Sequence, residues 1–147
     1  MPRPVVSPVV IDTNLAGAIV ARRLNFLAPY RHRLTGRQIV LAFVTVAELR
    51  YGALSAGWQQ RRLDEMEKFI SRTTVVMPDN DLVAVCARLR ADCRASGHGL
   101  HQKIHEADRW VAATGLRYNL PVVTSDKIFM DVPGLVVILE NAVNGFG

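Results

Sequence analysis

The chain has 147 residues, half of them hydrophobic and 21% charged, with 18 Lys plus Arg against 13 Asp plus Glu and a net charge of +5. That is the size and mix of one globular domain that buries its core without disulfides or a structural metal. No apolar run approaches the roughly 20 residues of a membrane-spanning helix, and residues 1–8 lack the apolar stretch of a secretory signal, so a cytoplasmic protein is expected.

Residues 9–11 are an apolar run, Val-Val-Ile, ending at Asp12, and read as a buried strand that tolerates Pro8 at its start. Residues 15–24 read as a helix, and residues 25–38, with Pro29, Gly36 and several arginines, as loop or broken helix. A second strand is predicted over residues 39–44, and a helix opening at Thr45 runs to about Ser55. Residues 58–72 place Leu63, Met66, Phe69 and Ile70 on one helical face. Residues 73–77 form a third strand. Residues 80–96 form a helix with Leu82, Val85, Cys86, Leu89 and Cys93 on one side, stopped by Gly97. A loop over 97–103 leads to a helix over 104–118 capped by Asn119, and residues 121–124 and 135–139 complete five strands.

Cys86 and Cys93 are seven residues apart on one helix. That is roughly 10.5 Å along the axis, beyond the about 7 Å that a disulfide allows. They are expected to be buried thiols in a reducing compartment. Of the 18 cationic residues only Lys68, Lys103 and Lys127 are lysines, and the other 15 are arginines. The planar guanidinium suits phosphate, so the excess is compatible with nucleic-acid binding, as it is with a solvated surface.

Strands alternating with helices predict an α/β fold with a mostly parallel sheet covered on both faces. In such sheets ligands bind beyond the carboxyl ends of the strands. Asp12 and Asp126 both follow an apolar strand, so both are placed at that edge. Asp12 also suits a helix N-cap, and Asp126 a turn, with Asp131 as the competing carboxylate. Thr45 to Glu48 reads as a capping box, in which Glu48 reaches back to the first amide. Asp108 shares a helix face with Val111, Ala112 and Gly115, a face expected to pack on the sheet, so it needs a partner: His105, Arg109 or a metal. Four converging carboxylates repel and require cations to stay ionised, and hard oxygen ligands select Mg2+ or Mn2+. Such sites displace at phosphorus.

Val-Val-Ile-Asp-Thr-Asn (9–14), Thr-Val-Ala-Glu-Leu-Arg-Tyr-Gly-Ala (45–53), Ala-Asp-Arg-Trp-Val-Ala-Ala-Thr (107–114) and Leu-Pro-Val-Val-Thr-Ser-Asp (120–126) resemble, in order, the PIN-domain family, and most of all the toxin ribonucleases of VapBC-type toxin–antitoxin pairs. The resemblance implies a single PIN-like domain over residues 1–147 with an acidic Mg2+ or Mn2+ site at Asp12, Glu48, Asp108 and Asp126. It implies endonucleolytic cleavage of tRNA or ribosomal RNA that inhibits translation. It also implies a homodimer and a small cognate antitoxin, through which alone operator DNA is bound. The sequence departs from the family after Asp126: the acidic–aromatic pair is displaced into Ile128-Phe129-Met130-Asp131.

Two other readings compete. His98, His101, His105 and Asp108 have a spacing that would suit zinc if the helix began early, against which Gly97 and Gly99 favour a loop. A non-catalytic regulatory or nucleic-acid-binding PIN module is the other, and the filling of all four acidic positions argues against it.

Overall fold

The computed structural model describes residues 7–140; the reading of residues 1–8 as free of a signal therefore lies mostly outside the described residues. Strands β1 (Val9–Ile11), β2 (Ile39–Ala42), β3 (Thr74–Val76), β4 (Val122–Thr124) and β5 (Val137–Leu139) form one sheet of order β3-β2-β1-β4-β5. Every pairing is parallel. Val10 lies between Val40 on β2 and Val122 on β4, so β1 is the innermost strand, and all three of its residues are fully buried. A parallel strand buried on both faces must be apolar throughout, which is why Val-Val-Ile rather than an alternating pattern marks it.

The helices are α1 (Thr13–Val20), the short α2 (Leu24–Leu27) and α3 (Arg31–Leu34), α4 (Phe43–Ser55), α5 (Gln60–Ser71), α6 (Asn80–Ser96) and α7 (Glu106–Tyr118). Successive strand side chains point to opposite faces, and the core divides accordingly. Val10, Val40 and Val122 join residues of α6 and α7. Val9, Ile11, Leu41 and Val123 join α1, α4, α5 and Tyr30. Cys86 and Cys93 are free and buried on α6, as their spacing requires. Gly97 ends α6 with φ 78° and Asn119 ends α7 with φ 55°, the left-handed conformation that those two residue types adopt most readily. Among the described residues no helix is long and apolar enough to cross a membrane.

The largest departure from the sequence reading is at α4. The second strand stops at Ala42 and the helix begins at Phe43, two residues before Thr45. Its N-cap is Ala42, which has no side chain to cap with. The capping box predicted at Thr45 and Glu48 therefore does not form, because both residues already lie inside the helix. Residues 25–38, read as loop or broken helix, are broken helix: α2, a 3-10 turn over Ala28–Tyr30, and α3.

The strand order places the site. From β1 the chain moves through β2 and β3 to one edge, then returns to β4 and β5 on the other side of β1. The switch point is between β1 and β4, where a crevice opens beyond the carboxyl ends of the strands. Helix α1 starts directly after β1, and α4 directly after β2. The far end of α7 packs on the start of β4, since a Cβ built on Gly115 would lie 2.9 Å from the Leu120 carbonyl and 3.0 Å from Val122. The first turns of α1, α4 and α7 thus all face the carboxyl edge.

Candidate active site

Asp12 is the anchor. Its backbone leaves β1, with the amide still donating to Val123 at 3.3 Å, and its side chain caps α1 by accepting the Leu15 amide at Oδ1, 2.9 Å. The other oxygen, Oδ2, accepts the Thr124 hydroxyl at 2.6 Å. The capping and site readings of Asp12 are therefore compatible, one oxygen serving the cap. The residue is 2% exposed, and both partners are neutral. A buried carboxylate without a cation is costly. Burial accordingly pushes its pKa above the ordinary value, opposed by the Thr124 and Leu15 hydrogen bonds and reinforced by the charges of Asp108 and Asp126.

Thr124 joins the two strand ends. Its Oγ1 donates to Asp12 and accepts the Asp126 amide at 2.9 Å. A hydroxyl both donates and accepts, so one side chain sets the position of two acidic residues 114 positions apart (126 − 12). Beneath it, buried Tyr30 donates its hydroxyl to the carbonyls of Thr124 (3.3 Å) and Glu140 (2.9 Å). Asp126 then caps the 3-10 turn Lys127–Phe129 by accepting the Ile128 amide at 3.0 Å. Asp131 is exposed, in a turn with φ 62°.

Asp108 stands in the first turn of α7, one-third exposed at its side chain. Its predicted face is as expected: Val111, Ala112 and Gly115 are buried. Of the expected partners it takes His105, whose Nδ1–H donates to Oδ2 at 3.1 Å. Arg109 points elsewhere, donating to the carbonyls of Leu100 and Gln102. Burial raises the pKa of Asp108, the His105 hydrogen bond lowers it, and the charge of Asp126 raises it again.

Asp12, Asp108 and Asp126 thus share one electrostatic field. Glu48 is exposed on α4, and among the described residues its side chain makes no hydrogen bond or ion pair. One turn before it, fully buried Thr45 meets Thr13 hydroxyl to hydroxyl at 3.1 Å, which ties α4 to the residue after Asp12. Glu48 is therefore carried on a helix that is fastened beside Asp12. Among the described residues no three His, Cys, Asp or Glu side chains are close enough to hold a metal ion as they stand. The zinc alternative fails at His98, where Nδ1 accepts the Leu100 amide and Nε2 must then donate to the Met130 carbonyl at 2.7 Å. His101 is tied to the His98 carbonyl through Nδ1.

Thr124 and Tyr30 carry parts of this site that the sequence did not point out as functional, whereas His105 was expected as a partner of Asp108. Of the two, only Thr124 had a signal, its place within the last acidic motif.

Without a cap to make, Glu48 has no structural task that its charge serves. Glu48→Gln is expected to melt within about 0.5 kcal/mol of wild type, as exposed substitutions do, yet to lose most RNA cleavage if the side chain belongs to the site. A melting curve and a cleavage assay on the same preparation check this; wild-type cleavage would leave three carboxylates.

The sequence matches the PIN domain family over residues 9–135. It is similar to ribonuclease VapC5 of Mycobacterium tuberculosis, 32% identical over 100 residues that span 66% of this chain and 70% of that protein. Its fold resembles VapBC2 of Rickettsia felis, solved bound to a DNA fragment from their promoter: TM-score 0.75, 18% identity, covering 92% of this chain and 100% of the other. It also resembles VapBC-5 of Mycobacterium tuberculosis, a member of the VapBC family of toxin–antitoxin systems: TM-score 0.59, 27% identity, 91% and 97% covered.

Proposed function

The chain belongs to the PIN-domain family, and from that membership we propose that it is an endoribonuclease, the toxin of a type II toxin–antitoxin pair. Its active site on this reading is formed by Asp12, Glu48, Asp108 and Asp126, within a single domain over residues 1–147. The observation that supports it most is the coupling of Asp12 to Asp126 through Thr124 at the switch point of the sheet, with Asp108 in the same field. Three carboxylates that, among the described residues, no lysine or arginine pairs with, one of them buried, are the donor set that a hard divalent cation compensates.

Mg2+ or Mn2+ would be held by Asp12, Asp108 and Asp126, with Glu48 at the rim. When bound, such a cation supplies charge neutralisation and Lewis acidity at a scissile phosphate. The chain's own residues do the positioning. The Leu15 amide and Thr124 hydroxyl fix Asp12, the Thr124 oxygen and the Ile128 amide fix Asp126, and His105 fixes one oxygen of Asp108. The arginine-rich surface holds RNA through its phosphates, and looped tRNA or ribosomal RNA offers unstacked bases for recognition. The protein acts in the cytoplasm as a homodimer, and a cognate antitoxin, itself the DNA-binding partner, covers the acidic cleft.

The test is cleavage of a structured RNA by the purified chain. Activity is expected with Mg2+ or Mn2+, none in excess chelator, and recovery when the cation is restored. Expression in a bacterial host should arrest growth, and co-expression of the partner from the adjacent reading frame should relieve it. A folded chain that binds RNA but leaves it uncut with either cation would instead be the non-catalytic module.

A further inference from the structure

The segment between α6 and α7 is tied down at three points. The His98 ring bonds the Met130 carbonyl, just past the turn that Asp126 caps. Arg109, 4% exposed, donates Nη1 to the carbonyls of Leu100 and Gln102. The backbone then closes a 3-10 turn over Lys103–His105, and the His105 ring returns to Asp108 at 3.1 Å. The result is a closed circuit: residue 109 of α7 pins the loop that carries His105, and His105 pins residue 108 of α7.

That circuit opposes a specific force. Asp108 is repelled by Asp126, and Asp12 by both. An aspartate side chain one-third exposed relieves such repulsion by turning a rotamer toward water. A ring on a short turn that follows carbonyls held by buried Arg109 loses little further entropy in holding the carboxylate, so the His105 bond is well placed to resist the turn. Groups that hold ligating carboxylates in this way typically alter metal affinity by about 10–100-fold when removed.

We propose that His105 is a positioning residue that keeps the Asp108 carboxylate facing Asp12 and Asp126, and thereby sets the affinity of the site for a divalent cation. This rests on reading those aspartates as a cation site. The role needs an N–H at the Nδ1 position, not an imidazole as such, and asparagine presents its amide nitrogen at a similar place.

The experiment is Mn2+ binding to the full chain, followed by the electron paramagnetic resonance of free Mn2+, for wild type, His105→Asn, His105→Phe and His105→Ala, with Asp108→Asn as the control. His105→Phe and His105→Ala are expected to bind Mn2+ about 10–100-fold more weakly, and His105→Asn within about threefold of wild type. In RNA cleavage the donor-free variants should keep the KM for RNA and recover their rate at high Mn2+. Two donor-free variants are used so that one that fails to fold leaves the other. A folded donor-free variant with wild-type Mn2+ affinity overturns the proposal, as does an asparagine variant as weak as phenylalanine. If wild type binds no Mn2+, or Asp108→Asn binds it as well as wild type, the cation-site reading fails first and takes this proposal with it.

Discussion

Asp12→Asn is expected to lower RNA cleavage by about 1,000-fold or more, roughly 4 kcal/mol of transition-state stabilisation, while the metal-free chain stays at least as stable as wild type at pH 7. The two effects separate because asparagine keeps the shape of aspartate, loses the charge and turns the oxygen that faces Thr124 into a donor. Its side-chain oxygen still caps α1 through the Leu15 amide, a task asparagine performs as well as aspartate. Its side-chain amide meets Thr124, whose oxygen has lone pairs for both that group and the Asp126 amide. What disappears is a buried charge whose neighbours are two further carboxylates.

The pH dependence has a definite sign. Burial raises the pKa of Asp12 above its unfolded value. The folded chain therefore holds that proton to higher pH than the unfolded chain does. The resulting stability is fully present below the unfolded pKa of about 3.9 and is lost as pH rises through the raised folded value. Melting temperatures of wild type and Asp12→Asn should consequently diverge as pH rises from 4 to 8, in favour of the variant. Mn2+ should act against that order at pH 8, stabilising wild type by about 2.7 kcal/mol at one hundred times its Kd. That gain should shrink toward pH 4 as Asp12 and Asp108, both with raised pKa values, take up protons. An Asp12→Asn variant cleaving within tenfold of wild type would remove Asp12 from the site.

Asp126→Asn is expected to cut cleavage at least 100-fold, about 2.7 kcal/mol, and Asp131→Asn to leave it within about twofold, in the range of neutral surface changes. The two aspartates are five residues apart, and tertiary placement separates them. The Asp126 amide is held by the hydroxyl that also holds Asp12, and its charge raises the pKa of both Asp12 and Asp108. Asp131 is exposed, past a turn, and is not among the charges acting on either. Neither variant should unfold the protein. Asparagine can still accept the Ile128 amide at position 126, and at position 131 the φ of 62° suits asparagine as well as aspartate. Cleavage rates of the two variants, with melting curves to confirm folding, decide between them. The reverse ranking would place the fourth carboxylate at 131.

The strands and most helices were legible because their signals are local. Val9–Ile11 is apolar on both faces since both faces are covered, and a run of buried β-branched residues ends where the chain meets the edge, at Asp12. The helix over Asn80–Ser96 begins and ends where Asp79 and Gly97 cap it. The sheltered face of α7 at Asp108 followed from helical periodicity. At Thr45 the predicted end of the strand and the capping pattern failed together: β2 ends at Ala42, the last residue paired with β3, and the helix starts at once.

The site itself was legible only as residue types at strand ends. Its connections span distances that no sequence window contains. That Thr124 bonds Asp12 depends on β4 lying beside β1, and that order is set by the global packing of two helical layers. That His105 and not Arg109 serves Asp108 depends on the loop carbonyls that capture the guanidinium. Residue type and place after an apolar strand put Asp12 and Asp126 at the carboxyl edge of the sheet, and the motif resemblance supplied the other carboxylates. Which of them share a field was settled by packing in three dimensions, because charges and hydrogen bonds act through space and not along the chain.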